Sequence, residues 1–486
     1  MISRSGPLRP HAVTALAFFI GAALAFCFLS RMIGWWAVVV AGALCTGVWV
    51  ATGLASSDSR LRRVIGLGAW AFLLMLYLLW AYLALTFGVL LAWAVPTWTW
   101  ALAAFAAVAT AATLLRPLHR LRVPPILPLG IWIAAALAAW GSEENWLRCD
   151  DYLALRPPVQ LVVPSHPDLA SCRAGEVRAA GRFPRTIWQD PDGKRVVFTT
   201  QGDPVAGGIG GSVCEARLAG DDAPHCVGLP RNKSQGLVDL PERGRLIVMQ
   251  WGVTTPAGVR GAVALELSRD QGLAILGEHW FDNTLAEGFY EPRNSTLYLF
   301  SDKMDGIHRF VLPGFEPAST IPINFFTPGE LHYDPVAGEG VGCGSRLATA
   351  IRGEPFLARN LADGNSSLIE KLSLSWGCDW DPAARKVYVA VPNLGLLVKL
   401  DYDTGQVEKR WFVGPGTRSV AYDPVRRRVY LTDFLRGEVI AFDERTERVV
   451  DRWFVGRYSR WVRLTRDGHA LLATSNLGIV RIPLDG

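Results

Sequence analysis

Trp380-Asp381-Pro382, Arg385-Lys386-Val387-Tyr388-Val389, Leu397-Val398-Lys399-Leu400-Asp401 and Lys409-Arg410-Trp411-Phe412-Val413 return in the same order. The second copy reads Tyr422-Asp423-Pro424, Arg427-Arg428-Val429-Tyr430-Leu431, Val439-Ile440-Ala441-Phe442-Asp443 and Asp451-Arg452-Trp453-Phe454-Val455. Asp381 and Asp423 are 42 residues apart. Short β-branched and aromatic runs at such a period describe a repeated sheet unit, which cannot bury both faces by itself. Further copies are therefore expected.

Turns followed by β-rich runs recur at Asp190-Pro191, Leu240-Pro241, Glu291-Pro292 and Asp334-Pro335, and again at Thr465-Arg466-Asp467-Gly468. With Asp381 and Asp423 they make seven units spaced 42 to 51 residues apart. The turn chemistry is physical: Pro presets φ, Asp caps the turn with its side chain, and Gly193 or Gly468 supplies positive φ. Seven four-stranded units in a ring predict a β-propeller over 175–486, which protects its sheet edges by closing on itself. The last unit ends at its third strand, Ile479-Val480-Arg481-Ile482-Pro483. Gly175-Glu176-Val177-Arg178-Ala179 is expected to supply the missing outer strand, so that truncating either end unfolds the domain.

These units resemble the YVTN family of propeller repeats and, more loosely, the NHL group. Val387-Tyr388-Val389-Ala390 and Val429-Tyr430-Leu431-Thr432 carry the likeness, with Asp433 where that family often has Asn. The resemblance implies the fold and says little about activity, because the architecture hosts binding proteins and enzymes alike.

Before the propeller the composition changes. Of 486 residues 50% are hydrophobic, and Asp58 is the one acid between Met1 and Ser142. Apolar stretches at 11–30, 34–55, 64–94, 97–115 and 124–141 each reach the roughly 17 to 25 residues needed to span a bilayer as a helix. Arginines gather at Arg4 and Arg9, at Arg60, Arg62 and Arg63, and at Arg116, Arg120 and Arg122. By the positive-inside rule these places are cytoplasmic, which puts the N-terminus inside and everything after Ser142 outside. The 64–94 segment is long for one pass, and two shorter spans would reverse that topology. The expected fold class is thus an α-helical transmembrane bundle of about five helices, a linker at 143–174, and an all-β seven-bladed propeller. The lipid bilayer is the first expected partner. The net charge of +5 follows these flanking arginines and points to no nucleic acid.

Cys149, Cys172, Cys214, Cys226, Cys343 and Cys378 all fall in the part placed outside. An even number there predicts up to three disulfides, although six cysteines allow fifteen pairings. Cys214 with Cys226 is the first expectation, since a turn-rich segment separates them. Free, buried cysteines are the alternative.

Aligned on the turns, Arg185, Gln235, Glu287, Glu330, Trp376, Arg418 and Arg460 precede the inner strands. Asp302, Asn393, Asp433 and Asn476 follow the second strands on the same face. This ring is the candidate binding face. Three arginines on a funnel suit a carboxylate, phosphate or sulfated sugar. Alternatively they pair with Glu287, Glu330 and Asp433 across a wet channel. No haem, phosphate-loop, zinc-helix or nucleophile-elbow motif occurs, so no cofactor is expected, apart from a possible divalent metal on Glu287, Asn393 and Asp433. The pairs Trp280-Phe281, Trp411-Phe412 and Trp453-Phe454 close their units, a place that favours packing between blades over sugar stacking.

Two functions follow. One is a membrane-anchored extracytoplasmic scaffold that binds a protein or envelope polymer. The other is a propeller hydrolase or lactonase with a metal in the funnel.

Overall fold

In the computed structural model each of the seven turns joins the first and second strands of one sheet. The structure describes residues 146–484 apart from 167, 180–182, 191, 202–210, 219–222, 230–233, 284, 302–305, 322–327, 335–336, 345–355, 360–365, 369–375, 393, 415 and 435, together with Leu61 and Val64. The chain divides into two units, 1–143 and 144–486. Among the described residues the second holds seven four-stranded antiparallel sheets and one two-stranded ribbon. Blades 1 to 6 cover 183–228, 234–281, 285–317, 328–368, 377–412 and 417–454, and blade 7 holds 462–483.

Local chemistry explains the hairpins. Asp381 Oδ1 accepts from the amides of Ala383 and Ala384 at 2.9 and 3.0 Å, and Asp423 Oδ1 does the same for Val425 and Arg426. Arg385 and Arg427 then take φ of 57° and 53°, a left-handed conformation that the capped turn imposes on them.

Alternation within a strand explains the stacking. In Lys386–Val391, Val387, Val389 and Val391 pack toward Val341 and Cys343 of blade 4, whereas Tyr388 and Ala390 pack toward Val420, Tyr422 and Leu431 of blade 6. Each such aliphatic side chain contributes roughly 1.5–3 kcal/mol by leaving water. Trp411 packs at a tilt on Phe442 of the next blade, ring centres 5.0 Å apart, while its neighbour Phe412 is 73% exposed. The Trp-Phe motif therefore serves blade packing through its tryptophan.

The ring closes between blades 7 and 1. Leu472 and Ile479 pack with Ile187, Val196 and Phe198, and the Arg466 guanidinium donates to the Gln189 carbonyl at 3.1 and 3.2 Å. The closing strand differs from the expected one. Gln160–Pro164 pairs with Gly478–Pro483 as the fourth strand of blade 7, whereas Val177–Ala179 pairs with Trp146–Arg148 in a separate ribbon. The run Val159-Gln160-Leu161-Val162-Val163 is apolar enough to bury Val163 against blade 1; Val177-Arg178-Ala179 is not.

The expected fold class of a helical membrane bundle followed by a propeller is corrected. Among the described residues of the second unit, strands dominate, with one five-residue α-helix, Cys149–Leu153, and three short 3-10 turns, Leu169–Ser171, Pro241–Arg243 and Pro292–Asn294. Among the described residues no helix is long and apolar enough to cross a membrane. Hydropathy identifies an apolar segment without establishing a helix of spanning length. The five spans expected at 11–30, 34–55, 64–94, 97–115 and 124–141 lie outside the described residues except for Val64.

All six cysteines of the propeller unit are paired: Cys149–Cys172, Cys214–Cys226 and Cys343–Cys378, with Cα separations of 5.2, 4.1 and 5.8 Å. Cys214 and Cys226 face each other on neighbouring strands. Cys343–Cys378 staples blade 4 to blade 5, joining Glu339–Gly344 to Gly377–Asp381.

Candidate functional site

The start of each first strand and the end of each second strand share one rim, and blades 5 to 7 concentrate charge and aromatic rings there. Arg418 is the second residue of strand Thr417–Asp423 and lies within the register shift between Thr417 and Val420. Its guanidinium carbon lies 4.6 Å from the centre of the Trp376 ring and 5.2 Å from that of Phe434. Arg460 of the neighbouring blade lies 5.4 Å from the same Phe434 ring, so both arginines share one aromatic platform. Both are half-buried. The planar fork of a guanidinium is the side chain best suited to take a carboxylate or phosphate bidentately.

Tyr458 completes the group, its ring edge-on to Phe434 at 5.5 Å. It has φ of 60°, a left-handed conformation that costs a bulky residue about 1–3 kcal/mol and persists only where surroundings enforce it. Around this rim Thr417 Oγ1, Ser459 Oγ and Asn476 Oδ1 are buried without a hydrogen-bond partner among the described residues. Each such atom costs roughly 1–3 kcal/mol unless water or a ligand meets it.

Nearby, Glu330 ties three blades together. From the inner strand of blade 4 it accepts from Ser419 Oγ, from the Val420 amide at 3.0 Å and from Arg463 Nη1 at 3.0 Å. A Cβ at Gly377 of blade 5 would run into the Arg418 backbone carbonyl and come within 2.6 Å of Glu330 Oε2, so only glycine fits there. Burial outweighs these donors and pushes the Glu330 carboxyl up to about 7. His332, two residues on, has Nδ1 3.3 Å from Asp379 Oδ1. Burial takes it down to about 4, the Asp379 charge opposing the shift and the Arg463 charge adding to it.

The expected ring is thus distributed among different roles. Arg418 and Arg460 come together on Phe434. Glu330 is 1% exposed and accepts from Arg463. Asp433 is buried, accepts from the Arg436 amide at 3.0 Å and has the Arg436 guanidinium 4.0 Å away. Asn476 donates to Asp151 Oδ2 at 2.9 Å, so its amide is engaged by the N-terminal segment. Glu287 is buried in Leu285–Glu291, Arg185 is half-buried in Phe183–Gln189, and Gln235 falls in Ser234–Leu240. Asp302 and Asn393 lie outside the described residues. Among the described residues no group of three or more His, Cys, Asp or Glu side chains is placed to hold a metal, and the proposed set of Glu287, Asn393 and Asp433 lacks a described Asn393.

Phe434, Tyr458, Asp151 and Arg463 were not in the expected ring. Phe434 follows a strand end directly, where the two quoted repeats differ: Val391-Pro392 in one, Asp433-Phe434 in the other. That departure was the available signal. Asp151 lies 325 residues from Asn476, and nothing local announces the contact.

No protein-family model matches the chain, and no curated protein matches it in sequence. Among solved structures it is similar to a chain of hydrazine synthase from Kuenenia stuttgartiensis, with 14% identity and a TM-score of 0.51, over 62% of this chain and 95% of that one. At that identity the likeness concerns the propeller-like fold alone.

Proposed function

We propose that the propeller is an extracytoplasmic binding module that takes a carboxylate-bearing group of a protein or envelope polymer on the rim of blades 5 to 7. The observation that carries this reading is the shared platform: two half-buried guanidiniums from adjacent blades over the Phe434 ring, one of them also over Trp376. Three disulfides support an oxidising compartment, since such bonds persist outside the reducing cytosol. The resemblance to YVTN repeats is carried by blades 5 and 6 and agrees with a rigid scaffold.

Polygalacturonate, a sugar polymer with one carboxylate per residue, is the test probe, with uncharged dextran as control. The full chain should retain polygalacturonate and ignore dextran. Arg418→Gln and Arg460→Gln should each weaken binding about tenfold or more, the range set by losing a charge-assisted hydrogen bond of roughly 1.5–3 kcal/mol. Equal binding of both polymers, or variants that bind like the parent, would remove the reading.

A further inference from the structure

We infer that the N-terminal segment closed by Cys149–Cys172 is a clamp that positions the loop carrying Tyr458 and Arg460, an inference that rests on the anion-binding reading of that rim. The helix Cys149–Leu153 is anchored by the disulfide and by the Cys149 amide, which donates to the Glu176 carbonyl at 3.0 Å. From this helix Asp151, 4% exposed, reaches the propeller. Its Oδ1 accepts from Arg457 Nε at 3.1 Å and its Oδ2 from Asn476 Nδ2 at 2.9 Å. Further along the segment, Ser165 donates through Oγ to the Asn476 carbonyl at 2.7 Å and through its amide to the Leu477 carbonyl at 2.8 Å. Leu147 and Leu169 pack on Leu477 beneath these contacts.

Both residues that Asp151 holds border the loop. Arg457 immediately precedes Tyr458, and its carbonyl accepts from the Asn476 amide at 2.9 Å. Gly456 has φ of 100°, and a Cβ there would come within 2.7 Å of Asn476 Oδ1. The loop therefore enters through a glycine that both its positive φ and this close approach require, and is fixed at Arg457 by a carboxylate from a different part of the chain. Left-handed Tyr458 follows directly, and then Arg460 on its Phe434 platform. A bulky residue in that conformation relaxes when its surroundings loosen, so Asp151 acts on the site through the loop as a positioning residue.

The test uses trypsin on the full chain, with cleavage after Arg460 followed by mass spectrometry and no ligand present. Asp151→Asn should raise the rate of cleavage after Arg460 at least tenfold. Arg457→Gln, which breaks the same contact from the other side, and the paired Cys149→Ser and Cys172→Ser change should do likewise. Cleavage after exposed Arg445 should stay constant. Unchanged cleavage after Arg460 in all three, or an equal rise after Arg445, overturns the clamp. Polygalacturonate binding supplies the second arm: Asp151→Asn should cost about tenfold alone and nothing more on top of Arg460→Gln, because coupled residues do not add. Full additivity would overturn action through the loop. If the unmutated chain ignores polygalacturonate, the anion-binding reading falls and the cleavage arm still decides the clamp.

Discussion

Replacing Glu330 by Gln and, separately, His332 by Gln tilts the stability of the propeller against pH in opposite directions. Glu330 is pushed up to about 7 in the folded chain from an ordinary 4.5. Between those values the folded state keeps a proton that the unfolded state has lost. Its contribution is complete below 4.5 and declines as pH rises through 7. His332 is taken down to about 4 from 6.5. There the unfolded state holds the extra proton, so its contribution is complete above 6.5 and declines as pH falls through 4. Each pH unit is worth up to about 1.4 kcal/mol, and each group on the order of 3 kcal/mol across its window. From pH 4.5 to 6.5 the two slopes oppose and the pair contributes a flat profile. Urea denaturation at pH 4.5, 5.5 and 6.5 reads the slopes as differences from the parent. Relative to it, Glu330→Gln should gain stability with rising pH, by up to about 3 kcal/mol over the range, and His332→Gln should lose a comparable amount. Parallel profiles, or slopes of reversed sign, would refute the assignment of desolvation as the dominant cause at both groups.

Replacing Cys343 and Cys378 together by Ala removes the staple between blades 4 and 5, which closes a separation of 35 residues. The loss should be roughly 3–4 kcal/mol by the loop-entropy relation, read as a lower denaturation midpoint. Val163→Ala, in the strand that closes blade 7, should cost on the order of 2 kcal/mol, and removing 160–164 should abolish cooperative unfolding. A deletion that left the transition intact would argue that the ring does not depend on that strand.

The blade count was legible because it is written locally. Asp381 and Asp423 cap their own turns, the valines on either side alternate faces, and both signals recur with a fixed spacing. The closing strand was harder, since a fourth strand supplied from the N-terminal side of blade 1 carries no turn to align on. Leu161 and Val163, bracketed by Pro158 and Pro164, were nevertheless a better apolar strand than Val177-Arg178-Ala179. At the rim, alignment on the turns placed Arg418 and Arg460 on one side of the ring. It did not distinguish them from Glu330, whose neighbours Ser419 and Arg463 come from blades 6 and 7. Nor did it reveal that Asn476 serves Asp151. Those assignments depend on contacts between residues far apart in sequence, which no local pattern records.

The most direct measurement is the affinity of the full chain for polygalacturonate as Arg418 and Arg460 are changed singly and together to Gln, at low and moderate salt. Anion binding at this rim requires measurable binding by the parent, about a tenfold or greater loss for each single change, and weakening with added salt. Binding that survives the double change would contradict it, as would a parent chain that retains dextran equally well.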